Sequence, residues 1–113
     1  EFNEYAGVYY LGNANNPYLV LVEVKDNSVT SVTIHRDTKF ISEWAFYDCT
    51  SLTSVTIPDG VVSIGDYAFY NCASLTGIII PYGVTFIGVF AFYNCNSLTS
   101  VTFEKTRAWL VSA

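Results

Sequence analysis

Two apolar rhythms alternate along this chain. Val55 and Ile57 alternate with small polar residues, as do Val32 and Ile34, and Val101 and Phe103; at Ile78 and Ile80 the same alternation is interrupted by Ile79. That two-residue period predicts short strands with one buried face. Ala45, Phe46 and Cys49 fall at helical spacing and predict a short helical turn. Val61 and Ile64, followed by Gly65, predict an extended segment between the two.

The alternation is itself periodic. Ala45-Phe46-Tyr47-Asp48-Cys49-Thr50-Ser51-Leu52 recurs at residues 68–75 and again at 91–98, so three full repeats occupy 35–57, 58–80 and 81–103. Eight positions are identical in all three: Ile, Ala, Phe, Tyr, Cys, Ser, Leu and Thr. A fixed period of this length is the mark of a solenoid, in which each unit buries its apolar faces against its neighbours. One rung then reads strand, turn, extended segment, helical turn. The expected fold is an α/β solenoid, a short right-handed coil with a parallel sheet of about four strands. The second and third repeats open with Pro58-Asp59-Gly60 and Pro81-Tyr82-Gly83, both strong turn signals, where the first has His35-Arg36-Asp37.

The ends depart from the repeat. Val29–Ile34 matches Leu52–Ile57 at five of six residues, so the sheet begins before the first full repeat and the solenoid runs 29–103. Residues 1–28 carry two strand candidates, Val8–Leu11 and Tyr18–Val24, around the turn cluster Gly12–Pro17. They predict a β-hairpin cap over the first rung, which would otherwise expose an apolar face and an unpaired edge. Residues 104–113, with Trp109, read as a C-terminal cap or the start of a linker.

Composition narrows the function. Net charge is −5 with five basic residues in all, which excludes the basic patch of a nucleic-acid or anionic-membrane binder. The most apolar run, Ile78 to Tyr93, is shorter than the roughly 18–20 residues of a membrane span and contains Pro81, Gly83 and Gly88.

Three aligned thiols raise the question of metal or redox chemistry. Successive rungs lie about 4.8 Å apart. Cys49 and Cys95 are then about 10 Å apart, too far for one zinc with Zn–S bonds of about 2.3 Å. In-register neighbours point the same way and hold their Cβ atoms slightly too far apart for a disulfide. Cys49, Cys72 and Cys95 therefore read as a ladder of small buried hydrophobes, with no metal or cofactor. His35 has no second histidine to work with and stands at the position Pro takes in later repeats, which reads as a surface turn. No phosphate loop or nucleophile elbow is present. The chain reads as no enzyme.

The outward sheet positions are the candidate ligand-binding residues: Ser31, Thr33, Ser54, Thr56, Ile79, Ser100 and Thr102, with Tyr82 at the rim and Gly77 as a gap. Four strands offer about 300 Å², well short of the ~800 Å² per partner of a stable interface. Recognition there is expected to be weak, of a small epitope or glycan, or built by repetition. Two aromatic stripes, Tyr47-Tyr70-Tyr93 and Trp44-Tyr67-Phe90, are expected to pack along the opposite side and shield the helical turns.

The order Pro-x-x-Val-x-x-Ile-Gly-x-x-Ala-Phe-x-x-Cys-x-x-Leu-x-x-Val-x-Ile closely resembles the BspA-like class of leucine-rich repeats. Residues 58–80 carry it almost completely, through Pro58, Val61, Ile64, Gly65, Ala68, Phe69, Cys72, Leu75, Ile78 and Ile80. The first repeat matches weakly at His35, Thr38 and Ser42. The resemblance implies a secreted or surface-attached, often bacterial, protein acting in adhesion or host interaction, with no enzymatic activity. The expected partner is an extracellular or host protein or a glycan, bound by a monomer or weak homodimer. The alternative is a structural spacer that displays another part of a larger surface protein.

Overall fold

A computed structural model describes residues 2–105 of the chain. The segment expected to cap the C-terminal end, including Trp109, lies outside the described residues from 106 onward. Ten short strands follow one another: β1 (Asn3–Tyr5), β2 (Val8–Leu11), β3 (Val20–Val24), β4 (Ser31–Thr33), β5 (Phe40–Ile41), β6 (Ser54–Thr56), β7 (Ser63–Ile64), β8 (Gly77–Ile80), β9 (Phe86–Ile87) and β10 (Ser100–Phe103).

The strands wind into a β-solenoid of about four turns. Val32, Ile34, Ile57, Ile78 and Ile80 point inward and join Phe46, Leu52, Phe69 and Leu75 in one buried core. Burial of alternate strand residues against the rungs above and below is the main stabilising term. Strands β4, β6, β8 and β10 lie in succession along one side. Hydrogen bonding joins them only in pairs: β4 with β6, Ser31 opposite Ser54, and β8 with β10, Gly77 opposite Ser100. The four-strand sheet expected here is thus open in the middle.

A second ladder runs through the extended segments. β3, β5, β7 and β9 are parallel, and β1 and β2 add to β3 antiparallel to make six strands. The rungs approach closely where this ladder turns. A Cβ on Gly65 would stand 2.6 Å from the Glu43 backbone nitrogen, and one on Gly88 would collide with Asp66. In the first repeat the same position is Ser42, whose hydroxyl donates to the Val22 carbonyl oxygen at 2.9 Å.

The expected helical turns are not helices, and the described residues contain no helix. The α/β label is therefore corrected to all-β. The reason is how the backbone N–H groups are used. Those of Trp44, Phe46 and Asp48 donate to Asp66, Ala68 and Tyr70 on the next rung, at 3.2, 2.7 and 3.0 Å. Tyr47 and Cys49 close tight turns onto Trp44 and Phe46. Trp44 and Asp48 take positive φ, as do Tyr67 and Asn71, and Phe90 and Asn94. Helical spacing in sequence arises here from consecutive turns that keep Ala, Phe and Cys inward.

The antiparallel strands lock onto the first rung through named groups. The His35 backbone N–H donates to the Tyr10 hydroxyl at 3.0 Å, and the Thr38 hydroxyl donates to the Tyr18 carbonyl oxygen at 2.9 Å. Asn16 donates from its side chain to the Asp37 carbonyl oxygen at 2.7 Å. No helix among the described residues is long and apolar enough to cross a membrane.

Candidate binding surface

The candidate residues fall on one exposed face. Ser31, Thr33, Ser54, Thr56, Ser100 and Thr102 all point to solvent. Ile79 is 57% exposed and Tyr82 49%, high values for side chains of their size. Strands β4, β6 and β8 alternate these outward residues with inward ones, so the pleat aims them. In β10 the alternate residues Val101 and Phe103, expected to be buried, are 39% and 58% exposed, because the described rungs end there and none of the described residues packs over them.

The face is not uniform. Thr53 donates to the Thr30 carbonyl oxygen from its N–H at 2.8 Å and from its hydroxyl at 3.0 Å. Thr99 does the same to Thr76 at 3.0 and 3.2 Å. Among the described residues Thr76 makes no such pair of bonds to Thr53. At this opening between β6 and β8 lies a shallow groove of about 570 Å³. Ser54, Thr56, Ile79, Ser100 and Thr102 line it, with Gly77 widening one wall. Ser31, Thr33 and Tyr82 stand outside it. Asp59 and Glu104 also line it, over a floor of Val55, Ile57 and Ile78. Sequence reading missed both. Asp59 sits in the turn after β6. Glu104 continues the outward series of Ser100 and Thr102, its N–H donating to the Ile80 carbonyl oxygen at 3.0 Å, a signal the two-residue alternation carried. The groove is therefore hydroxyl-rich, carries one exposed aliphatic side chain and is acidic.

The aromatic stripes form columns. Tyr47, Tyr70 and Tyr93 stack at 5.4 and 5.5 Å with planes 16° and 14° apart. Trp44 lies parallel to Tyr67 at 4.3 Å, and Tyr67 is tilted against Phe90 at 5.6 Å. A third column, Phe46-Phe69-Phe92, runs inside at 4.7 and 5.3 Å. Such pairs are worth about 0.5–1.5 kcal/mol each beyond burial.

The cysteines are free thiols, Cys49 and Cys72 buried and Cys95 half-buried. The Cys72 thiol donates to the Phe46 carbonyl oxygen at 3.2 Å and that of Cys95 to Phe69 at 3.0 Å. Cys72 and Cys95 are thus more than small hydrophobes, since each thiol adds a second donor to a carbonyl one rung back that already accepts a backbone N–H. Burial, with the Asp48 charge nearby, pushes the Cys49 thiol up to about 11. The neighbouring Cys95 thiol and burial also raise Cys72.

His35 does stand in the turn before β5, but its ring is not a surface group. It lies among Tyr5, Tyr10 and Tyr18, and its Nδ1 accepts from the Asp37 N–H at 3.0 Å.

The family model described as BspA type leucine-rich repeat region (6 copies) matches residues 24–109. The chain belongs to that family. Its repeat positions now have physical roles: Ala, Phe, Cys and Leu fill the core, and Gly permits the close approach of rungs. Two solved structures are similar. One is a leucine-rich repeat protein of T. pallidum, with 20% identity and a TM-score of 0.43, covering 73% of this chain and 62% of that one. The other is a leucine-rich cell surface protein from Faecalibacterium prausnitzii A2-165, with 23% identity and a TM-score of 0.49, covering 92% of this chain and 43% of that one. The chain thus spans less than two thirds of the length of either. No curated protein matches it.

Proposed function

We propose that this BspA-type repeat is a non-enzymatic recognition module, secreted or displayed at a cell surface, that binds an extracellular protein or glycan. The groove between β6 and β8 carries this reading. It offers hydroxyls for hydrogen bonding, Ile79 as an apolar anchor and Asp59 and Glu104 as acidic rim groups. A face of Ser and Thr side chains is already hydrated and short, so a partner displaces water there at little entropic cost. The patch is small against the roughly 800 Å² per partner of a standard interface, so affinity per module is modest.

The test is a binding screen of the chain against extracellular-matrix proteins and immobilised glycans. A variant with Thr56, Ile79 and Thr102 all changed to Glu runs beside it, with circular dichroism to show that it is folded. Loss of a specific signal in the folded variant supports the groove. Equal binding by both removes recognition from this face, and no binding by either favours a spacer.

A further inference from the structure

A second concavity, of about 470 Å³, opens away from the sheet face. Its lining is Glu23, Val24, Asn27, Trp44, Ala45 and Tyr47. It lies where two aromatic columns begin. One face of Trp44 is covered by Tyr67 and one face of Tyr47 by Tyr70. On the preceding rung Leu21 pairs with Ile41, so the places matching Trp44 and Tyr47 fall to Val24 and Asn27, and neither column continues toward the N-terminus. The opposite faces of Trp44 and Tyr47 border the cavity, and the two residues remain 41% and 43% exposed.

These two rings meet as a corner, with centroids 5.0 Å apart and planes inclined by 79°. The corner is held from below. The Val24 N–H donates to the Ala45 carbonyl oxygen at 3.2 Å, and the Asn27 side-chain amide donates to the Tyr47 carbonyl oxygen at 3.3 Å. The third element is charge. Glu23 is exposed, and among the described residues the Lys25–Glu4 pair does not involve it and no lysine or arginine lies within salt-bridge distance of its carboxylate.

From this geometry we infer that the corner binds an alkylammonium cation, best a trimethylammonium group. The negative faces of Trp and Tyr attract a cation within about 6 Å of the ring centroid. Glu23 adds a full negative charge. Shape separates this ligand from a sugar. Two faces at 79° cannot both lie flat against one pyranose ring, whereas a compact, rounded ammonium touches both. This site is independent of the β6–β8 groove and shares no residue with it.

The experiment is an NMR titration of the full chain with choline chloride, following the Trp44 indole proton, assigned by its absence in Trp44→Phe. Sodium chloride at equal ionic strength is the reference. Parallel titrations use Nα-acetyl-lysine amide and N-acetylglucosamine. A saturable shift with choline in the millimolar range is expected. Tyr47→Leu, checked for folding by circular dichroism, should weaken it roughly three- to thirtyfold. Glu23→Lys, an exposed change, should weaken it roughly tenfold or more. Tighter binding of choline than of the lysine amide identifies a headgroup-type cation, and the reverse identifies a lysine side chain of a partner. The inference is overturned if no ammonium gives a saturable shift, if Glu23→Lys responds like the parent, or if N-acetylglucosamine saturates the signal and choline does not.

Discussion

The imidazole of His35 stacks on the ring of Tyr18, with centroids 3.9 Å apart and planes 16° from parallel. The contact joins the antiparallel strands to the first rung, at the one repeat start that lacks proline. Tyr5 closes the stack edge-on at 4.7 Å. His35→Ala removes these contacts and is expected to cost about 1–2 kcal/mol. Urea unfolding measures it, with Arg36→Ala as the exposed neighbour. Equal midpoints for the two variants would refute a structural role for the ring.

Gly65 lies against the backbone of Glu43 on the rung before it. Gly65→Ala must separate two rungs whose spacing the β5–β7 ladder fixes, and is expected to destabilise by about 1–3 kcal/mol. Ser42→Ala changes the same repeat position where no such contact exists, and loses only the bond to Val22, about 1 kcal/mol. Thermal unfolding of the pair should rank them in that order.

Asn71 takes φ 62° and its side-chain amide donates to Asp48 Oδ1 at 2.8 Å. Asn is among the few residues that occupy this region readily. Asn71→Ala loses both the bond and the backbone preference, at about 1–2 kcal/mol, whereas Asn71→Gly keeps the backbone and loses about 1. Chemical unfolding in which the glycine variant is the weaker of the two would contradict this account.

The thiols give a pH dependence. Cys49 keeps its proton in the folded chain up to about pH 11, against 9.0 when unfolded. Between those values the folded state holds the extra proton, so stability falls as pH rises. The contribution is complete below pH 9 and lost toward 11. Tyr10, raised above 10.0 chiefly by burial, extends the loss further up. Unfolding midpoints measured at pH 8, 9 and 10 should decline more in the parent than in Cys49→Ala. Native Cys49 should also resist alkylation at pH 8, with labelling rising only as the chain unfolds.

The repeat determined most of the architecture by itself. Identical residues at a fixed period must meet identical neighbours, so the inward Phe, Cys and Leu ladders and the outward Ser and Thr positions followed from spacing alone. Two-residue alternation placed Ile79 and Thr102 outward before any coordinates were needed. Only the tertiary structure decided how the backbone between strands is satisfied. Ala45–Cys49 has helical spacing, yet the N–H groups of Phe46 and Asp48 bond to the next rung while those of Tyr47 and Cys49 close turns, and that choice depends on a neighbour one repeat away. The same holds for the gap between β6 and β8, for Asp59 in the turn beside it, and for the open faces of Trp44 and Tyr47. A repeat pattern describes what each rung shares with the others. These features arise where one rung differs from its neighbours, and their geometry exists only once the rungs are stacked.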